Sequence, residues 1–92
     1  SKMIGILKNN ATRIFDRIRE FDREKKEKKR LEMEYAMLQE ELYKTNIQIR
    51  SAYNNFNNTT DKDCISYYLF LIKALEARYA LLLKQAKDID YA

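Results

Sequence analysis

The chain has 92 residues, with no proline, histidine or tryptophan, one glycine (Gly5) and one cysteine (Cys64); 35% of it is charged and 46% hydrophobic. That length makes one small domain at most, and a chain so poor in turn formers lacks the punctuation of a sandwich or barrel, which leaves long helix. Histidine-based acid–base catalysis, zinc sites and an internal disulfide are excluded, so we expect no enzyme, no cofactor and no metal.

The net charge of +4 is unevenly spread. Residues 1–30 hold eleven Lys/Arg against five Asp/Glu, and residues 31–92 hold seven against nine. No uninterrupted apolar run is long enough to cross a bilayer. The stretch from Lys2 to Lys8 lacks the small-residue cleavage site of a secretory signal, so a cytoplasmic location is expected.

In chain order, the first element carries Ile4, Leu7, Ala11, Ile14, Ile18 and Phe21 at alternating spacings of three and four, which marks one face of a helix. Residues 22–30 are charged without exception, yet they favour helix through Asp22–Lys26 and Glu24–Lys28, acid first, at i,i+4. From Leu31 the apolar stripe resumes at Tyr35, Leu38, Leu42, Thr45, Ile49, Ala52 and Phe56. Four asparagines and two threonines between 54 and 61 then compete for backbone hydrogen bonds and predict the one loop. Thr60 or Asp61 is the expected N-cap of the last helix. That helix carries a second stripe at Ile65, Tyr68, Ile72, Leu75, Tyr79, Leu82, Ala86 and Ile89.

The fold class is therefore all-α: an antiparallel, coiled-coil-like hairpin over 31–92 with a loop near 54–61, preceded by a basic amphipathic helical arm over 1–30. Its expected seam is Leu31, Tyr35, Leu38, Leu42, Ile49 and Ala52 against Ile65, Tyr68, Ile72, Leu75, Tyr79, Leu82 and Ala86. The expected register sets Leu31 opposite Ala86, Leu42 opposite Leu75 and Ala52 opposite Ile65, with its centre inside the loop. Tyr67, Phe70, Leu71, Ala74 and Leu81 make the last helix apolar well beyond that seam, so a second partner must bury them. A second copy of the chain is the expected occupant, giving a homo-oligomeric helical bundle.

The stretch Asn55-Phe56, then Thr60 through Tyr68, then Ile72-Lys73-Ala74-Leu75-Glu76-Ala77-Arg78-Tyr79 and Leu82-Leu83-Lys84 resembles the YaaL-like family of small Firmicutes proteins, a domain of unknown function. Lys62 stands where that family commonly has proline. The resemblance covers about residues 45–87 and implies a cytoplasmic bacterial protein without an established activity. Its members are often encoded beside a recombination-mediator gene, which implies a link to DNA metabolism by association.

Among candidate sites, the strongest is anion binding by Arg13, Arg17, Arg23, Lys25, Lys26, Lys28, Lys29 and Arg30, with nucleic acid as the partner. Against it stands a solvated helix laced with Asp16, Glu20, Asp22, Glu24 and Glu27, which we favour on charge pattern. The amphipathic stretch of Ile14, Phe15, Ile18 and Phe21 with its arginines suits a membrane interface, a partner's groove or a second copy; self-packing is favoured and a membrane surface is not expected. Cys64 has no histidine base and reads as a small side chain. The function read from the sequence is thus a self-associating interaction or scaffolding protein, with an accessory nucleic-acid-binding protein or a peripheral membrane adaptor (residues 3–21) as alternatives.

Overall fold

A computed structural model describes residues 2–90, with the side chain of Asp90 left aside. Two helices account for the described chain: α1, Lys2–Asn58, and α2, Lys62–Asp90. The chain divides into two units, residues 1–33 and 34–92, and α1 contributes to both.

In the first unit, helix is maintained by side chains of the helix itself. Arg19 pairs with Asp16 at 3.7 Å and Arg23 with Glu20 at 3.1 Å. Arg30 grips Glu27 with two bonds, 3.0 Å from Nε and 2.6 Å from Nη2. All three lie at i,i+3, where side chains on a helix meet. The bonds from Arg30 hold the Glu27 carboxyl below its ordinary range.

The second unit is the hairpin. Its buried side chains are Leu42, Thr45, Ala52, Ile72 and Ala86, and the remaining seam residues from Tyr35 to Ile89 are half-buried. Thr45, at 1% exposure the most enclosed of all, satisfies its hydroxyl by donating to the Glu41 carbonyl one turn back at 2.7 Å. A polar residue thus sits in the core without an unpaired group.

The corner is tighter than expected. α1 continues through Asn54–Asn58, leaving only residues 59–61 between the helices. Asn58 Nδ2 donates to Asn54 Oδ1 at 3.1 Å, so two of the asparagines bond to each other along the helix, and half-buried Phe56 anchors the same turn. Asp61 is the N-cap of α2: one carboxylate oxygen accepts from the backbone N–H of Asp63 at 2.8 Å and of Cys64 at 3.0 Å. Those N–H groups hold its carboxyl below the usual range.

Candidate functional site

Among the described residues, two side-chain hydrogen bonds cross the hairpin and mark its register. The Tyr53 hydroxyl donates to Glu76 Oε1 at 2.8 Å, and Arg78 Nη2 donates to Glu41 Oε2 at 2.9 Å. Tyr53 and Glu76 each follow a seam residue, whereas Glu41 and Arg78 each precede one. These are the flanking positions that meet on the two sides of an antiparallel seam. With Ala52 opposite Ile65, Tyr53 and Glu76 would stand about 18 Å apart along the axis, beyond the reach of both side chains. Sliding α2 by one heptad brings each bonded pair to within about 8 Å axially. No other heptad step accommodates both.

The register is therefore Thr59 opposite Ile65, Phe56 opposite Tyr68, Ala52 opposite Ile72, Ile49 opposite Leu75, Thr45 opposite Tyr79, Leu42 opposite Leu82, Leu38 opposite Ala86, and Tyr35 opposite Ile89. This corrects the register expected from sequence. A 3-4 pattern repeats every seven residues, so both alignments match apolar with apolar. The observed one adds Phe56 and Ile89 to the seam, and it sets small against large at Ala52/Ile72, Thr45/Tyr79 and Leu38/Ala86. A shallow groove lined by Ser51, Ala52 and Asn55 of α1 with Leu71 and Leu75 of α2 has the same alignment. Leu31, expected opposite Ala86, belongs to the first unit instead.

Two polar contacts edge this seam. Glu41 accepts from Arg78 and is also 4.0 Å from Lys44, while Glu76 raises the Tyr53 hydroxyl's pKa, first by accepting its proton in a hydrogen bond and then by charge.

The candidate site lies on the other side of α2. Tyr67, Phe70, Ala74, Ala77 and Leu81 recur at three and four, a second heptad stripe about half a turn from the seam. Tyr67 is 60% exposed, Phe70 70% and Leu81 59%; Ala74 and Ala77 are exposed too, and only Leu71 at the edge is half-buried. The Tyr67 ring stands edge-on to that of Tyr68, centroids 5.1 Å apart, which links this stripe to the seam. Cys64 is exposed at the helix start.

The basic residues fall in two groups. Arg23 and Arg30 are engaged by Glu20 and Glu27. Arg13, Arg17, Lys25, Lys26, Lys28 and Lys29 are exposed, without an ion pair among the described residues. Periodicity alone could not separate these groups, because the choice between i,i+3 and i,i+4 acids is made by rotamers.

No described helix is long and apolar enough to cross a membrane. The family described as protein of unknown function (DUF2508) matches residues 21–90. The chain belongs to that family, and the match takes in the hairpin together with the charged segment that precedes it. No curated protein matches the chain, and no solved structure does.

Proposed function

We propose that this member of the DUF2508 family is a non-enzymatic interaction or scaffolding protein that self-associates through the second stripe of α2. The YaaL-like likeness and a cytoplasmic location belong to the same reading. The observation that carries it is the pairing of a thin core with a second, fully formed heptad stripe. Five side chains are buried among the described residues of the hairpin, and a two-helix unit of this size gains little from so small a core. Phe70 and Leu81, each more than half exposed, lie on the same helix as a completed seam. Ala74 and Ala77 sit between them, and a two-fold partner lays its own Phe70 or Leu81 over these small residues. The resulting four-helix bundle buries α2 on both sides.

Light scattering at tens of micromolar tests this directly. The full chain is expected at twice its 11.1 kDa mass or more, and Phe70→Asp/Leu81→Asp is expected to bring it to the monomer mass. A monomeric wild-type chain overturns the reading.

A further inference from the structure

The first unit carries a feature that self-association of α2 leaves unused. Every residue from Lys2 to Arg30 is exposed, and Ile4, Leu7, Ile14, Ile18 and Phe21 are each more than half accessible although they line one face of a continuous helix. At about 100° per residue these side chains, with Met3 and Phe15, fill an arc of roughly 120°. The charges around that arc are sorted. Lys8 and Arg19 flank one edge and Arg17 flanks the other, while Arg13 lies farther round, beside Glu20. Asp16 and Glu20 lie diametrically opposite the apolar arc, and each is paired with an arginine, Arg19 and Arg23. Lys8, Arg13 and Arg17 carry no ion pair among the described residues. Asp22 enters the apolar side just past Phe21 and ends the stripe.

We propose that residues 3–21 form an in-plane helix that docks on an anionic lipid surface. In that position the apolar arc enters the acyl boundary, and the edge cations lie at the depth of the phosphates with their stems along the hydrocarbon. The two acids face water, as far from the lipid charge as a helix allows. A second arm fits this charge order poorly. In a parallel pair the Arg17 edge meets the Lys8/Arg19 edge, and in an antiparallel pair each edge meets its own copy, so cations face cations both ways. A duplex nucleic acid would satisfy the cations but would leave Ile14, Ile18 and Phe21 in water. Membrane attachment by such a helix needs no transmembrane span and draws on both apolar burial and charge.

The test is flotation of the full chain with phosphatidylcholine vesicles, with and without a quarter of phosphatidylglycerol. The chain is expected to float with the anionic vesicles and to be released as salt is raised. Each basic residue near such a surface contributes about 1 kcal/mol, or fivefold in affinity, so Lys8→Gln/Arg17→Gln is expected to weaken binding about thirtyfold. Ile18→Asp, at the centre of the arc, is expected to abolish it. Failure to float with anionic vesicles overturns the proposal, and so does binding that Ile18→Asp leaves unchanged. A drop in solution mass of Ile18→Asp without lipid assigns the arc to a second copy. Binding of a duplex oligonucleotide by a chain that ignores vesicles assigns the cations to nucleic acid. The proposal stands apart from self-association through α2, because Phe70→Asp/Leu81→Asp alters that face and leaves residues 3–21 intact.

Discussion

The two units carry the same kind of apolar pattern and treat it in opposite ways. In residues 34–92 the stripes at three-four spacing lead to Leu42 at 7% exposure, Ile72 at 4% and Ala52 at 2%. In residues 1–33, Ile14 and Ile18, at the same spacing, stay 57% and 52% exposed. Residue type and period do not distinguish the two regions. What differs is a covalently attached partner: three loop residues return α2 alongside α1 in one region, while every described residue from Lys2 to Arg30 in the other is exposed. A heptad stripe is thus a demand for burial, and the sequence supplies the answer for only one of the two. The first unit remains helical because charged pairs such as Glu27–Arg30 and Glu20–Arg23 do locally what packing does in the hairpin.

The sharpest way to break the comparison is to place the same charge in both regions. Leu42→Asp buries a carboxylate in a core of five side chains, and we expect loss of the cooperative thermal transition in circular dichroism. Ile14→Asp changes an equally apolar position of the first unit and is expected to leave the melting of the hairpin within about 0.5 kcal/mol of the wild type. Equal damage from the two would mean that the arc of the first unit is buried in the native protein.

The next effect tests the register. With Cys64→Ser removing the native thiol, Ala52→Cys/Ile72→Cys is expected to oxidise to a disulfide and raise stability by about 3 kcal/mol, since it closes a loop of roughly twenty residues. Ala52→Cys/Ile65→Cys places the thiols about 10 Å apart along the axis and is expected to stay reduced. The opposite outcome, read by mass shift on thiol labelling, would restore the alignment expected from sequence.

That pair of variants also marks where sequence reading stops. Helix content, the antiparallel return and the Asp61 cap follow from residue types, because breakers and caps act locally. The face that α2 presents inward follows from the spacing of Ile65, Tyr68, Ile72 and Leu75. The register did not follow, because a seven-residue repeat looks alike after a seven-residue slide. The side chains that reveal it, Tyr53, Glu76, Glu41 and Arg78, lie just outside the seam, where hydropathy carries no signal and only reach and charge matter. The asparagines at 54–58 misplaced the corner because their intrinsic preference for turns gave way to the anchoring of Phe56 and to the Asn54–Asn58 bond. The stripe at Tyr67, Phe70, Ala74 and Leu81 was visible in the sequence, and its exposure in the structure is what makes it a candidate site.

A smaller effect is expected at the edge of the seam. The Glu41 and Arg78 side chains are 41% and 56% accessible, so their bond is screened and Glu41→Gln should cost only about 0.2–1 kcal/mol, falling as salt rises. A loss of several kcal/mol in chemical denaturation would show that this contact, rather than the apolar layers, holds the helices in register.

The smallest effect concerns the corner. Asp61 accepts two backbone N–H bonds at the start of α2, and its carboxyl is held below the usual range by those bonds, the one from Cys64 first. A carboxylate whose folded pKa is depressed adds stability above its unfolded pKa and loses it as pH falls through the folded value. Asp61→Asn keeps an oxygen that can cap but removes both the charge at the positive helix end and its titration. The wild type should therefore melt slightly above Asp61→Asn at neutral pH, and the gap should close in acid below the ordinary carboxylate range. Comparing the two chains at each pH cancels the titration of the other carboxylates. The companion variant Glu27→Gln removes another depressed carboxyl, one held by Arg30 within the first unit. Because the hairpin core does not include that pair, its loss should lower helix content without moving the midpoint of the cooperative transition. A shift of that midpoint by Glu27→Gln as large as the one by Asp61→Asn would show that the two units melt as one, and the contrast between a self-sustained helix and a packed one would fall.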